Sequence, residues 1–510
     1  MRFQNTKLRI KIYILKQLEL CILQTQTLYF GESTNSELHL NEKSFEGIKK
    51  KSYLCKRLMQ KKQNTSKLLL NAEIVNENTS FKGHLFIQNE VIEKILSETD
   101  DYSALISEDT EIIDLSGYHV LPGVIDIHVH FREPGLTQKG TVFSESRAAV
   151  AGGVTSALEM PNTNPPTLTE KLLDEKLAIA EKTSFVNYGF YIGVSQNNLD
   201  DVLNINPQKA CGIKLFLGSS TGNMLIDDEQ ILDKLFAEAR LPIVVHAEDE
   251  HRILENTERI KSQYGENPPI SVHPIIRDVE ACYQSTKKAI ELAKKHNTRL
   301  HIAHLTTAKE LEFFSTTPLS EKRITSEVCT HHLWFSADDY ERLGTKIKCN
   351  PAIKTLENRE ALRNAVNSGL IDIIATDHAP HTSEEKAQSY FKAPSGIPLV
   401  QHNLQALLEL VHQDVFSLET IVEKTAHNPA KMFGFAKRGF IREGYFADLA
   451  IVDMNCPQTV DSTNIFYHCG WSPFESYTFN SKIICTFVNG NMVFKNFTTP
   501  QFNFSNAHQL

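Results

Sequence analysis

The 510-residue sequence contains no run of about 18 apolar residues, which excludes a transmembrane helix. Its nearest imitation of a signal peptide, residues 10–23, is broken by Lys11, Lys16 and Glu19 and lacks a small-residue cleavage site. Cysteine is scarce: nine residues, an odd and scattered set with no CxxC pair. That suits free thiols in a reducing, cytoplasmic setting better than a disulfide framework. There is no basic excess either. A net charge of −9 gives no bulk attraction to nucleic acid.

The charge is unevenly placed. Residues 1–64 carry 13 Lys/Arg against 5 Asp/Glu, including the run Lys49-Lys50-Lys51, with no steady apolar period. This stretch reads as a disordered basic extension, or as a non-native start with Met59 as the alternative, and removal of residues 1–58 is expected to leave activity nearly unchanged. Hydrophobic residues make up 41% of the chain, ample for a packed core.

From about residue 65 the pattern changes. Segments 68–74, 83–88 and 91–96 read as strands, the last two joined by a turn at Asn89-Glu90. Strand patterns return at 447–453, 483–488 and 492–494, with Asn489-Gly490 as a hairpin turn. The two ends are expected to pair into one small β-sandwich, from residues 65–119 and 436–500, followed by a tail at 501–510. Between them, residues 120–435 alternate helical stretches with eight short apolar runs, at 124–129, 155–160, 188–194, 212–217, 243–246, 300–305, 324–328 and 371–375. Eight βα units predict a (β/α)₈ TIM-type barrel, whose chemistry lies where the strands end.

Those ends are rich in ligand-type side chains. His128 and His130 of DIHVHFREPG share one face of the first strand, half of a zinc site. The HxH pair alone also occurs in ordinary half-buried strands. Lys214, inside the apolar run GIKLFLG, is costly there unless paired or neutral. It is either a structural ion pair or a neutral amine open to carboxylation by carbon dioxide. His246 ends the fifth run, His301 and His304 the sixth, and Asp377, His378 and His381 follow the eighth. Core packing does not account for such groups on four strand ends plus Lys214 on a fifth; a metal site does.

The set HVHFREPG, AAVAGGVTSALEMPNTNPP, GIKLF, HAED, AHLTT, EVCTHHL, CNPAIK and ATDHAPH closely resembles the dihydroorotase family of the amidohydrolase superfamily, in order, over about residues 65–495. The resemblance implies two zinc ions per subunit: one held by His128, His130 and Asp377, the other by His246 and His304, with N6-carboxylated Lys214 as the bridge. It implies that Arg132, Asn162 and His381 hold the substrate carboxylate, and that Asn350 and the Ser395–Gly396 backbone contact the ring. A guanidinium is also the natural fork for a carboxylate, the competing reading for Arg132 being a salt bridge to Glu133. Residues 219–222 would be the counterpart of a mobile substrate loop. His331 and His332 match a family motif and are expected to serve structure through hydrogen bonds.

The activity implied is reversible cyclisation of N-carbamoyl-L-aspartate to dihydroorotate in pyrimidine synthesis, with Asp377 carrying the proton. A homo-oligomer, and an association with aspartate transcarbamoylase, are the partner expectations. The rivals are an allantoinase or hydantoinase/dihydropyrimidinase activity on the same scaffold, and an inactive dihydroorotase-like scaffold.

Overall fold

The computed structural model describes residues 65–218, 224–505 and 507–510. The basic extension and the segment 219–222 fall outside the described residues. Five strands open the described chain: β1 (Ser66–Asn76), β2 (Thr79–Gln88), β3 (Val91–Ser97), β4 (Thr110–Asp114) and β5 (His119–Pro122). The next eight, β6 (Val124–Val129), β7 (Val154–Glu159), β8 (Asn187–Gly193), β9 (Gly212–Phe216), β10 (Ile243–His246), β11 (Leu300–Ile302), β12 (Ile324–Cys329) and β13 (Ile373–Ala375), form an all-parallel sheet in sequence order. The sheet curls round until Val129 bridges His378, where the His130 amide donates to the His378 carbonyl at 2.7 Å. This is the expected TIM-type barrel.

Parity does the positioning. Along β6 and into the residue after it, Asp126, His128 and His130 share a face, while Ile125, Ile127 and Val129 join apolar clusters. Most crossovers carry a helix, such as the largely buried Val142–Ala151 after β6 and the amphipathic Glu170–Thr183 after β7. The first begins with a capping box between Thr141 and Ser144.

The chain then returns through β14 (Leu449–Asp453), a short ribbon of β15 (Gln458–Thr459) and β16 (Thr478–Phe479), and β17 (Lys482–Val488), β18 (Asn491–Lys495) and β19 (Gln501–Phe502). Both ends enter one nine-stranded mixed sheet, ordered β19-β18-β17-β14-β5-β1-β2-β3 with β4 on β1. Its own core holds Leu69, Leu85, Val120, Ile451 and Phe487. The join is β5, parallel to β1 and antiparallel to β14. Four residues long and separated from β6 by Gly123 alone, β5 reads from sequence as the entry to the barrel. Gly123 is required there because an added Cβ would sit 2.2 Å from the Thr155 side chain. At the far hairpin Asn489 and Gly490 both take positive φ, 49° and 72°, as a two-residue turn of that type demands. The last residues are also tied in. Tyr188 exchanges backbone hydrogen bonds with His508 and Leu510, at 3.0 and 2.9 Å.

Candidate active site

At the C-terminal ends of the barrel strands lies a cavity of about 360 Å³. His128, His130, Lys214, His246, His304 and Asp377 all line it, as do Arg132, Asn162, Asn350, Ser395 and Gly396. His381 stands one layer behind, its Nε2 3.2 Å from the Arg132 guanidinium and 3.0 Å from the Ser395 carbonyl oxygen. Three of these residues, Arg132 (φ 72°), His304 (φ 41°) and Asp377 (φ 49°), occupy the left-handed region that non-glycine residues avoid. Such strain gathers where a fold must aim a side chain.

The ligand-type atoms form two groups. Asp377 Oδ1 lies 3.2 Å from His128 Nε2 and 3.0 Å from His130 Nε2. Opposite, His246 Nδ1 faces His304 Nε2 at 2.9 Å. One proton between them makes this an ordinary hydrogen bond, and with that proton lost the same two nitrogens converge as a pair of metal ligands. Lys214, 1% exposed, has an Nζ with no hydrogen-bond partner. Burial brings its pKa down to about 8, against the pull of the Glu327 and Asp377 carboxylates, so a neutral amine is accessible. The donor set, with its orphaned lysine, fits a metal centre.

Behind the ligands sit carboxylates that sequence reasoning missed. Glu327, fully buried on β12, places Oε1 2.5 Å from His128 Nδ1 and Oε2 3.1 Å from His301 Nε2; it also accepts from the His304 amide at 3.2 Å. Burial alone would depress His128, yet Glu327 and Asp377 lift it to about 9. Glu248 is the counterpart across the site, 3.2 Å from His246 Nε2 and ion-paired to Arg277. Such carboxylate–histidine pairs fix the tautomer and orientation of a metal ligand. One signal was available. Glu327 interrupts a buried strand run just as Lys214 does.

His130 is the exception, since its Nδ1 donates to Asn162 Oδ1 at 2.6 Å. Burial lowers its pKa to about 3, so it stands neutral. His332 Nε2 lies 3.2 Å from the Pro351 carbonyl oxygen, the structural hydrogen bond expected of it, whereas both ring nitrogens of His331 are buried without a hydrogen-bond partner, contrary to the same expectation. His331, His332 and Cys329 bring ligand-type atoms within 4.8 Å of one another, but none of the three lines the cavity.

Around the cavity, Arg132 donates Nε–H to the Pro380 carbonyl at 3.1 Å and makes no salt bridge to Glu133, which instead caps a helix through the Val142 amide. No carboxylate reaches the guanidinium within salt-bridge distance among the described residues. Burial lowers its pKa to about 10, which still leaves it cationic at neutral pH. Asn350 Oδ1 is buried without a hydrogen-bond partner. The Gly396 amide donates to the Lys348 carbonyl, and the Gly396 carbonyl accepts from Lys386 Nζ, each at 2.9 Å. Only glycine fits there: at φ 147° an added Cβ would lie 2.4 Å from the Ala379 carbonyl oxygen.

Comparison with known proteins agrees with this architecture. Residues 119–493 match the model of the amidohydrolase family. The chain is 36% identical over 394 residues to a dihydroorotase of Halobacterium salinarum, covering 77% of this chain and 90% of that one. An allantoinase of Desulfitobacterium hafniense is 32% identical over 414 residues, covering 78% and 91%. Among solved structures, the L-hydantoinase (dihydropyrimidinase) of Arthrobacter aurescens superposes with a TM-score of 0.78 at 26% identity, over 87% of this chain and 97% of that one. The chain belongs to the amidohydrolase family.

Proposed function

We propose that the protein is a metal-dependent cyclic amide hydrolase acting as a dihydroorotase, interconverting N-carbamoyl-L-aspartate and L-dihydroorotate with loss or gain of water in pyrimidine synthesis. The observation that carries the substrate is Arg132, a buried guanidinium on the cavity wall that feels Asp377 and Glu159 at a distance but has no carboxylate of the described residues within salt-bridge distance. A buried cation without a direct ion-pair partner is costly, and a ligand carboxylate supplies that partner. Dihydroorotate has one; the neutral rings of allantoin and dihydrouracil have none.

His128, His130 and Asp377 would hold one zinc ion and His246 and His304 the other, with Lys214 carboxylated on Nζ between them. Ions bound there supply Lewis acidity toward the ring amide carbonyl and the attacking water. The rest falls to the protein. Asp377 is the proton carrier: burial opposes its ionisation, but the adjacent His128 holds its pKa well below the usual carboxylate range. In hydrolysis it takes the proton of the attacking water and delivers it to the ring nitrogen as the C–N bond breaks; cyclisation runs the same transfers in reverse. Asn162 fixes His130 through Oδ1 and, lining the same cavity as Arg132, would add a contact to the substrate carboxylate. Asn350 Oδ1 meets a ring N–H. The reducing setting proposed for the enzyme is supported by seven free cysteines among the described residues.

The test is Arg132→Met. Removing a charged, buried hydrogen-bond donor should cost about 100-fold in kcat/KM on dihydroorotate, with metal content unchanged. Undiminished turnover of dihydroorotate by that variant would remove the carboxylate assignment.

A further inference from the structure

We infer that Lys139 is a positioning residue that sets the tautomer of His381 and thereby keeps the Arg132 guanidinium for the substrate carboxylate; this rests on the dihydroorotase reading of the site. Lys139 lies in the loop after β6, with Nζ 3.1 Å from His381 Nδ1 and 3.1 Å from Glu385 Oε1. Its side chain is 14% exposed, and it does not line the cavity. Nothing in the proposed mechanism uses it.

Hydrogen-bond inventory fixes what it does. An ammonium only donates, so His381 Nδ1 must accept, and the single proton of the neutral ring sits on Nε2. The ring is neutral because it is buried and flanked by Arg132, Lys139 and Lys386, which hold its pKa well below the ordinary imidazole value. Nε2–H then donates to the Ser395 carbonyl at 3.0 Å. Arg132, 3.2 Å from the same Nε2, faces a donor and cannot spend its own N–H there. Its remaining N–H groups stay available to a ligand in the cavity that Arg132 lines.

Glu385 makes this a choice between two states. Its Oε2 lies 3.4 Å from His381 Nδ1, so without Lys139 the Nδ1–H tautomer has an acceptor waiting. In that state the Nε2 lone pair opposes the Ser395 carbonyl and accepts from Arg132. Both consequences fall on substrate binding: the guanidinium is drawn off, and the Ser395–Gly396 loop loses its tie to His381. Neither touches Asp377 or the histidines of the metal centre.

The test compares wild type, Lys139→Met and Lys139→Arg, each with its metal. In ¹⁵N-histidine spectra, His381 should be the Nε2–H tautomer in wild type and Nδ1–H in Lys139→Met. KM for dihydroorotate should rise at least about tenfold in Lys139→Met, the scale of one hydrogen bond to a charged group, with kcat within about threefold and bound metal unchanged. Lys139→Arg, which still donates, should restore both tautomer and KM. An unchanged tautomer in Lys139→Met overturns the inference whatever KM does, and so does a switched tautomer with unchanged KM. Should wild type fail to turn over dihydroorotate, the functional reading falls, and the tautomer alone then decides whether Lys139 controls His381.

Discussion

Replacing Glu327 with glutamine should weaken metal binding without unfolding the barrel, and the contacts set the size of the effect. The carboxylate serves three donors: His128 Nδ1 at 2.5 Å, His301 Nε2 at 3.1 Å and the His304 amide at 3.2 Å. A glutamine oxygen in the place of Oε1 keeps the first and third. Its amide then faces His301 Nε2, which can become an acceptor, because His301 Nδ1 is 2.9 Å from the Thr325 hydroxyl and that group tolerates either role. The geometry survives and the charge is lost, and with the charge goes much of what raises His128 to about 9 against the effect of burial. Removing such a partner of a metal-binding histidine typically costs 10–100-fold in affinity. Glutamine should lie at about tenfold, near 1.4 kcal/mol. Glu327→Ala strands all three donors and should reach about 100-fold, with a fall in stability of several kcal/mol. Dialysis against graded chelator with metal counted by atomic absorption reads the first quantity, and thermal unfolding reads the second. If both variants retain metal as wild type does, Glu327 does not support the centre.

Lys214→Ala should lose most bound metal and nearly all activity, and a short-chain carboxylic acid added with zinc should restore part of it; rescue by zinc alone would contradict a carboxylated lysine. Asp377→Asn should retain at least one metal ion while losing turnover by several orders of magnitude, so substantial activity in a metal-loaded variant would place the proton carrier elsewhere. Glu248 gives an acid-side signature. Burial opposes its ionisation, but Arg277 and His246 bring its pKa from 4.5 to about 2. A depressed carboxylate stabilises the fold above its unfolded pKa and loses that contribution as pH falls from about 4.5 through about 2, about 3 kcal/mol in all. Glu248→Gln should flatten the denaturation midpoint over that window, and an unchanged slope would refute the pairing.

The barrel was legible because eight apolar runs alternate with helices, and because parity along DIHVHF puts two imidazoles on one side. Lys214 was legible for a different reason, as a charge inside an apolar strand. Glu327 carries the same signal in ITSEVC, but a carboxylate that supports ligands has no spacing of its own to mark it. Glu248 in HAED is hidden likewise by the histidine it serves. β4 and β5 were missed because neither is a bounded apolar run: TEIID is largely polar and exposed, and HVLP ends in proline one residue before the barrel's first strand. Lys139 and Lys386 gain meaning only from the fold, which carries them to His381 and to the Gly396 carbonyl across 242 and 10 residues of chain.

The central claim is the choice of ring, and one measurement tests it most directly: steady-state turnover by the purified, zinc-loaded protein of dihydroorotate, allantoin and dihydrouracil side by side. The buried Arg132 predicts that kcat/KM for dihydroorotate exceeds the other two by about 100-fold or more, the scale of one buried charge-assisted contact. Faster hydrolysis of allantoin or dihydrouracil would contradict it.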